Sequence, residues 1–318
     1  MRWLVTGSGG YIGAHLLQIL RHQNIEFLPL VGNSSDSVNR IKFLGVQGVQ
    51  ADMLSARSLL DCVVNYSPDV VVHLASMKSP NESRKNPDYF LKKNQISLQN
   101  IFRASEKSGS KIFINASSSA IYGNLDGKSI SESTPGSPIS TYGLSKFMAE
   151  KYLDSIKNSN MKVCSLRFFN IIGSTHFSLQ DKSTFHLVPA TISRIKSNQP
   201  PIVLGRNLPT IDGTPIRDYL HVMDAVGALV RIVHLLFSNN FMTGSTSHFK
   251  INVGSGKGSS VLEIITLIQQ LMGTDLIPEV QDAREGDPVS SIADISLLKR
   301  TIGFKSSFTI KQILESCI

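Results

Sequence analysis

Short apolar runs alternate with amphipathic stretches along the first half of the chain. Trp3-Leu4-Val5-Thr6, Glu26-Phe27-Leu28-Pro29-Leu30-Val31, Val46 to Asp52, Asp69-Val70-Val71-Val72-His73-Leu74-Ala75, Lys111-Ile112-Phe113-Ile114-Asn115 and Lys162-Val163-Cys164-Ser165-Leu166-Arg167 read as strands. The Asp69–Ala75 run is nearly unbroken in its hydrophobicity, the pattern of parallel strands covered on both faces. Between the runs, helical patterning marks the stretch after Ala14, one beginning near Ser55, one through Tyr89-Phe90 to Ala104, and one from Thr141 to Ile156. Strand–helix alternation through residue 170 predicts an α/β fold with a doubly wound parallel sheet. Beyond it the rhythm changes. Helix-like segments near 187–197, 222–237 and 260–272 are separated by loops holding Pro200-Pro201, Gly213 and Gly254-Ser255-Gly256, and a last helix starts near Thr309. This predicts residues 1–172 as one domain and 173–318 mainly as a smaller α+β cap over the carboxyl edge of the sheet. A segment near 213–255, including Lys250-Ile251-Asn252-Val253, is expected to return to the first domain. No internal repeat or low-complexity tract is present.

Composition narrows the class. In 318 residues, 41% are hydrophobic and 18% charged, the balance of a globular protein rather than a disordered one. No apolar run approaches the roughly 18 residues of a membrane span, and the first residues lead straight into a strand, so neither an anchor nor a signal peptide is expected. Cys62, Cys164 and Cys317 are far apart and show no metal-ligand spacing, which predicts reduced thiols, a cytoplasmic location and no metal. The formal charge of +8 comes from dispersed lysines and arginines. That disfavours a nucleic-acid stripe and suits an anionic small molecule such as a nucleotide diphosphate.

The chemistry begins at Gly7-Ser8-Gly9-Gly10-Tyr11-Ile12-Gly13, which follows the first strand and opens a helix. Strand, glycine loop and helix in this order are the context of a dinucleotide-binding, Rossmann-like fold. Gly7 permits the tight turn, Gly10 lets backbone N–H groups approach a pyrophosphate, and Gly13 allows close helix–strand packing. Tyr11 reads as a helix-start residue packed near the loop. An acid for the adenosine ribose is expected about 20 residues on. The chain offers Val31-Gly32-Asn33 instead, with Asp36 next and Arg40 beyond, which leaves NAD and NADP both open. Asp52 can either cap the following helix or contact adenine. His73, at the end of an apolar strand, reads as a packed histidine.

Tyr142-Gly143-Leu144-Ser145-Lys146 places a phenol and an ammonium one helical turn apart. A nearby cation favours the phenolate, and a thousandfold gain in acidity needs about 4 kcal/mol. Such a tyrosine accepts and returns a hydroxyl proton near neutral pH.

Together these features resemble the extended short-chain dehydrogenase/reductase superfamily, and within it the UDP-glucose 4-epimerase group, over nearly the whole chain. The family's catalytic serine stands four residues before a Tyr-Gly pair; Tyr122-Gly123 carries that role to Ser118, with Tyr142 and Lys146 as base and lysine. His73-Leu74-Ala75-Ser76-Met77-Lys78 matches the family's His-x-Ala-x-x-Lys, and Asn94 an asparagine lining the nicotinamide. The resemblance implies a cofactor set of Gly7, Gly10, Tyr11, Ile12, Gly13, Asn33, Asp52, Met53, Leu74, Ala75, Lys78, Asn94, Tyr142 and Lys146. On the substrate side, Asn170 in Arg-Phe-Phe-Asn matches an asparagine at the sugar-nucleotide diphosphate. Arg217-Asp218-Tyr219-Leu220-His221-Val222 matches the Arg-Asp-Tyr-x-His-Val block, and Arg284-Glu285-Gly286-Asp287 the Arg-x-Gly-Asp segment. These imply Arg217 and Arg284 on the diphosphate and Asp287 on the uridine ribose, with Lys78 and Ser118 also at the substrate. Two guanidinium forks suit a diphosphate.

Three departures bear on substrate and fold. His186, in Phe185-His186-Leu187, stands where relatives carry an asparagine near the diphosphate. Ser291 occupies a sugar-pocket position that can hold a bulky tyrosine, and its small size is expected to admit an N-acetyl group. Relatives often carry a further turn or helix after the one near Thr309. Related dehydratases and decarboxylases place acids just after the catalytic Ser/Thr; here Ser119 and Ala120 supply none. The resemblance therefore implies reversible oxidation through a 4-keto sugar with transient NADH, interconverting UDP-Glc and UDP-Gal and, with Ser291, UDP-GlcNAc and UDP-GalNAc. It also implies a homodimer through the helices near 87–104 and 141–156. Another nucleotide-sugar oxidoreductase is the alternative among enzymes, and a non-catalytic dinucleotide-binding regulator the alternative outside them.

Overall fold

A computed structural model describes residues 1–77, 80–125, 129–157, 159–238, 248–283 and 287–318. In chain order the elements are β1 (Trp3–Thr6), α1 (Tyr11–His22), β2 (Phe27–Val31), α2 (Ser35–Leu44), β3 (Val49–Gln50), α3 (Ala56–Tyr66), β4 (Val70–His73), α4 (Pro80–Lys85), α5 (Pro87–Lys107) and β5 (Ile112–Ser118). Then follow β6 (Ser129–Ile130), α6 (Thr141–Ser155), β7 (Lys162–Phe168), β8 (Asn170–Ile172), α7 (Leu187–Lys196), β9 (Ile202–Leu204), β10 (Ile216–His221) and α8 (Val222–Phe237). The last elements are β11 (His248–Val253), β12 (Gly258–Ser260), α9 (Val261–Met272), β13 (Glu279–Gln281), β14 (Ser290–Ala293), α10 (Ser296–Ile302) and α11 (Ile310–Glu315). Among the described residues, no helix is long and apolar enough to cross a membrane.

The chain divides into two compact units, and the division is discontinuous. Residues 1–118, 141–167 and 226–251 form the first; 119–140, 168–225 and 252–318 form the second. The segment expected near 213–255 returns to the first unit as residues 226–251, while 119–140 and 168–172, expected in the first, fall in the second. The chain leaves the first unit at Ser118, returns for α6 and β7, and returns again for 226–251.

The first unit is built on the seven-stranded order β11-β7-β5-β4-β1-β2-β3, with β1–β2, β1–β4, β2–β3 and β4–β5 parallel. Strand order reverses between β1 and β4, the switch point where open α/β sheets bind ligands beyond the carboxyl ends of the strands. Leu4, Val71, Phe113 and Val163 on the sheet pack against Leu59, Val63, Leu98, Ile101, Phe102 and Leu153 of α3, α5 and α6. Phe102 and Phe113 meet edge to face at 5.1 Å. The third strand is shorter than its sequence pattern suggests, because Val49 and Gln50 lie exposed at the sheet's edge and only Leu30 and Val31 pair with them.

The second unit carries the order β12-β10-β14-β6, with β8 also pairing β10. Its core joins Ile172, Val188, Ile192, Ile195, Tyr219, Ile264, Ile268, Ile313 and Leu314. Reciprocal Ser/Glu and Thr/Gln capping boxes start α9 and α11, each satisfying otherwise orphaned helix N–H groups.

Candidate active site

At the switch point of the first unit, Gly7 takes the left-handed conformation at φ +66°, and a Cβ there would lie 2.7 Å from the backbone nitrogen of Ala75. Only glycine fits such a turn without strain. The Gly10 amide donates to the Gly7 carbonyl at 2.9 Å, and a Cβ on Gly13 would strike that same carbonyl at 2.4 Å. The three glycines are thus one device, which folds the loop back and starts α1 at Gly10 with no side-chain cap. Tyr11 is buried edge-on to His15, in keeping with a packing role, and Ile12 is half-buried. Asn33 is exposed at the end of β2, and a Cβ on neighbouring Gly32 would meet nothing within 4 Å. Arg40 is buried, with Nη1 turned toward the Gly9 carbonyl at 3.4 Å. The guanidinium therefore lies under the loop rather than displayed for a 2′-phosphate.

His73 is packed and neutral. Its Nδ1 shares a hydrogen bond with the Thr6 hydroxyl at 2.8 Å, and that hydroxyl oxygen also accepts the Ala75 amide at 3.2 Å. Burial and then the Lys146 charge push this imidazole down to about 3. Leu74 and Ala75 follow directly and pack on the glycine turn. Asn94 of α5 pins the next residues: its Oδ1 accepts the Met77 amide at 2.8 Å and its Nδ2 donates to the Met77 carbonyl at 3.2 Å. Lys78 lies outside the described residues. Asp52 does not cap α3. Its carboxylate accepts the Leu54 amide at 2.9 Å in a turn, and Ser55 serves as N-cap, because the hydroxyl one residue before the helix has the geometry to reach the third amide. Met53 packs against the core, and its carbonyl accepts from Asn100.

β5 ends in Ala116-Ser117-Ser118 against α6. Ser118 hydrogen-bonds the Tyr142 phenol, and Lys146 Nζ lies 5.7 Å from the Tyr142 ring centroid while donating to the Ala116 carbonyl at 2.8 Å. The three residues that the motifs single out are therefore together. The acidity differs from expectation. Burial pushes the half-buried Tyr142 above its ordinary value, and the Ser118 bond only partly opposes this. The Lys146 ammonium meanwhile gives its hydrogen bond to the Ala116 carbonyl. Burial also draws Lys146 down to about 8.

In the second unit, β8 and β14 flank β10, placing Asn170 opposite Tyr219 and Ser291 opposite Arg217. Arg217 Nη2 bonds Asp287 at 2.7 Å, so two residues assigned separately to phosphate and ribose meet as an ion pair. Asn170 is exposed and Ser291 buried. His186 is exposed and held by its Nδ1 to Asp181 at 2.5 Å and Ser183 at 2.7 Å. Leu187 opens α7 and packs against the apolar core. Arg284 lies outside the described residues.

A family model described as "NAD dependent epimerase/dehydratase family" matches residues 3–240. The chain belongs to that family. It is 31% identical to the UDP-glucose 4-epimerase of Mycoplasma genitalium over 99% of this chain and 94% of that one. Among solved structures it is similar to UDP-glucose-4-epimerase from Stenotrophomonas maltophila with bound NAD and formylated UDP-arabinopyranose, with a TM-score of 0.90 and 27% identity over 100% and 96% of the two chains. It is also similar to the UDP-Glc/GlcNAc 4-epimerase of Campylobacter jejuni, with a TM-score of 0.82 and 26% identity over 99% and 97%. The family's NAD fits the residues present. An uncapped helix start behind a glycine turn offers N–H donors to a pyrophosphate, and the buried Arg40 adds positive charge beneath it.

Sequence reading missed two polar clusters, one in each unit. Glu150, four residues after Lys146, is buried with Arg167, and its carboxylate accepts the Ser117 hydroxyl at 2.5 Å. Asp218, next to Arg217, is fully buried and accepts from Ser255, Gly256 and Ala293. For Glu150 a signal existed, since it continues the four-residue spacing of Tyr142 and Lys146.

Proposed function

We propose that the protein is a UDP-sugar 4-epimerase, interconverting UDP-glucose and UDP-galactose through a 4-keto sugar. The observation that carries this reading is the Ser118–Tyr142–Lys146 cluster at the carboxyl end of β5, with Ser119 and Ala120 supplying no carboxyl group for elimination. Removal and return of a hydride at C4 is the chemistry that bound NAD supplies. Tyr142 takes the proton from the sugar 4-hydroxyl and later gives it back. Ser118, already bonded to the phenol, steadies the same oxygen. The Ser118 bond partly offsets the cost that burial imposes on the phenolate, and Lys146 adds a positive charge near the tyrosine ring. Oxidation and re-reduction leave the cofactor unchanged, so catalysis needs none added once the protein is loaded. Gly7, Gly10 and Gly13 hold the dinucleotide and Asn94 lines the nicotinamide. Arg217 and Arg284 grip the substrate diphosphate, with Asn170 and His186 nearby and Asp287 at the uridine ribose.

Ser291 extends the reading to UDP-GlcNAc and UDP-GalNAc. It is a small side chain opposite Arg217 on β14, and one similar enzyme is named for both sugars. Tyr89 of α5 and Leu144 and Met148 of α6 are exposed apolar side chains, which supports pairing of these helices between two copies. Incubating the purified protein with UDP-Glc, UDP-GlcNAc and UDP-GlcA, while following the anomeric NMR signals, tests the assignment. Interconversion of the first two without added cofactor is expected. Net NADH production would sink the epimerase reading, and activity on UDP-Glc with none on UDP-GlcNAc would sink the Ser291 extension.

A further inference from the structure

The helix that carries the base has an unusual inner face. Tyr142, Lys146 and Glu150 recur every fourth residue along α6, where an amphipathic helix ordinarily puts apolar residues against its sheet, and the exposed Asp154 continues the spacing at the helix end. Each is tied to the sheet of the first unit. Tyr142 bonds Ser118, and Lys146 donates to the Ala116 carbonyl at 2.8 Å. Glu150 accepts the Ser117 hydroxyl at 2.5 Å and the Arg167 guanidinium of β7 at 3.0 and 2.6 Å. Asp154 accepts from His248 at 2.8 Å and Lys250 at 2.7 Å on β11. Three consecutive residues at the end of β5 are thus gripped by three consecutive turns of α6.

Stability alone does not call for the middle rung. Both Glu150 and Arg167 are nearly inaccessible to solvent. Replacing such a buried pair with apolar side chains of similar size is commonly neutral or stabilising, whereas removing one partner is not. What an apolar pair lacks is direction. A methionine can slide along the helix axis, whereas a carboxylate bonded to both β5 and β7 allows one register. Because Ser117 adjoins Ser118 and Glu150 lies two turns below Tyr142, that register sets where the phenol meets the serine.

We propose that Glu150, locked by Arg167 and Ser117, is a positioning residue that fixes α6 on β5 so that Tyr142 meets Ser118. The proposal rests on the proton-transfer role given above to Tyr142. The paired variant Glu150→Met/Arg167→Met leaves no buried charge unpaired, and Ser117→Ala cuts only the β5 link. In both, the melting temperature is expected within a few degrees of wild type, and NAD and UDP binding within about threefold. The kcat for UDP-glucose is expected to fall at least thirtyfold in the pair and about fivefold in Ser117→Ala, with KM unchanged. Titration of ring-labelled tyrosine by NMR, with Tyr142 assigned from Tyr142→Phe, supplies a readout without turnover. Loss of the Ser118 bond moves that titration to higher pH.

A kcat within threefold of wild type in both variants, with the phenol titration unmoved, overturns the proposal. So does a kcat loss that merely tracks lost folding and ligand binding. If the paired variant does not fold, Ser117→Ala decides the question by the same two readouts. Absence of turnover in the wild type would count against the function, while the phenol titration would still judge the register.

Discussion

The two units hold their functional groups by different means. In the first, one face of one helix meets the end of one strand, and position follows from helical repeat: Tyr142, Lys146 and Glu150 each have a partner on β5. In the second, the groups come from separated segments and are organised by one buried carboxylate. Asp218 accepts the Ser255 amide and hydroxyl at 2.7 and 2.6 Å, the Gly256 amide at 2.9 Å and the Ala293 amide at 3.1 Å, fastening the turn after β11 and the end of β14 beside Arg217. A stripe fixes direction, as proton transfer demands. A hub gathers loops around a charged, extended ligand. Substitutions in the first unit should therefore act on kcat, and those in the second on KM and on stability.

The largest expected effect is at the base. Tyr142→Phe should lower kcat by about a thousandfold, within the range for general acid–base groups, while UDP binding by calorimetry stays unchanged. Comparable loss of both would erase the division of labour. Asp218→Ala should be the most destabilising change in the second unit. It strands the buried Ala293 amide and unfastens the half-buried Ser255 and exposed Gly256, so a loss of about 1–3 kcal/mol in denaturant unfolding is expected. Arg217→Gln should weaken UDP binding about tenfold to a hundredfold, the worth of a charge-assisted hydrogen bond, and leave kcat within threefold. A kcat loss with intact UDP affinity would place Arg217 on the wrong side of the comparison.

The pH profile sharpens the picture of Lys146. Burial lowers its ammonium from 10.5 to about 8. The charge beside Tyr142 is present below pH 8 and lost above it, so kcat should decline above about pH 8. In Lys146→Arg that decline should vanish, because a guanidinium stays charged. The linkage has a definite sign: between about 8 and 10.5 the unfolded state binds more protons, so the lysine's contribution to stability rises with pH there. A flat kcat profile to pH 10 would contradict this. The smallest effect is at the adenosine end. Gly32→Asp meets no steric obstacle and restores an acid at the end of β2, so NAD should bind about tenfold tighter with little change for NADP.

How much of this was legible in the sequence depended on whether a feature was local. The glycine turn, the base and its lysine, and the start of α9 are set by neighbours within a few residues, and the structure places them accordingly. Ser118, Arg217 and Asp287 were legible through motif blocks, yet the Arg217–Asp287 pair was not, since it joins residues far apart in the chain. The apolar pattern of β5 ends at Asn115, but the strand runs on to Ser118. Serine has no strong strand preference, and the strand's last residues lie in the sheet and bond Lys146 and Glu150 of α6, tertiary partners that no local pattern reveals. Asp52 lost the helix cap to Ser55 by a few residues, the usual uncertainty of element ends. The upward push on Tyr142 was illegible because it comes from burial, which the spacing of Tyr142 and Lys146 does not reveal.

The central claim, that the first unit carries out a reversible oxidation at C4 with the proton handled by Tyr142, is tested most directly with UDP-glucose deuterated at C4. The protein, with no cofactor added, should yield UDP-galactose that retains the deuterium at C4, and in heavy water the protiated substrate should gain none there. Loss of the label to solvent, or conversion only when NAD is supplied as a stoichiometric reagent, would contradict the account.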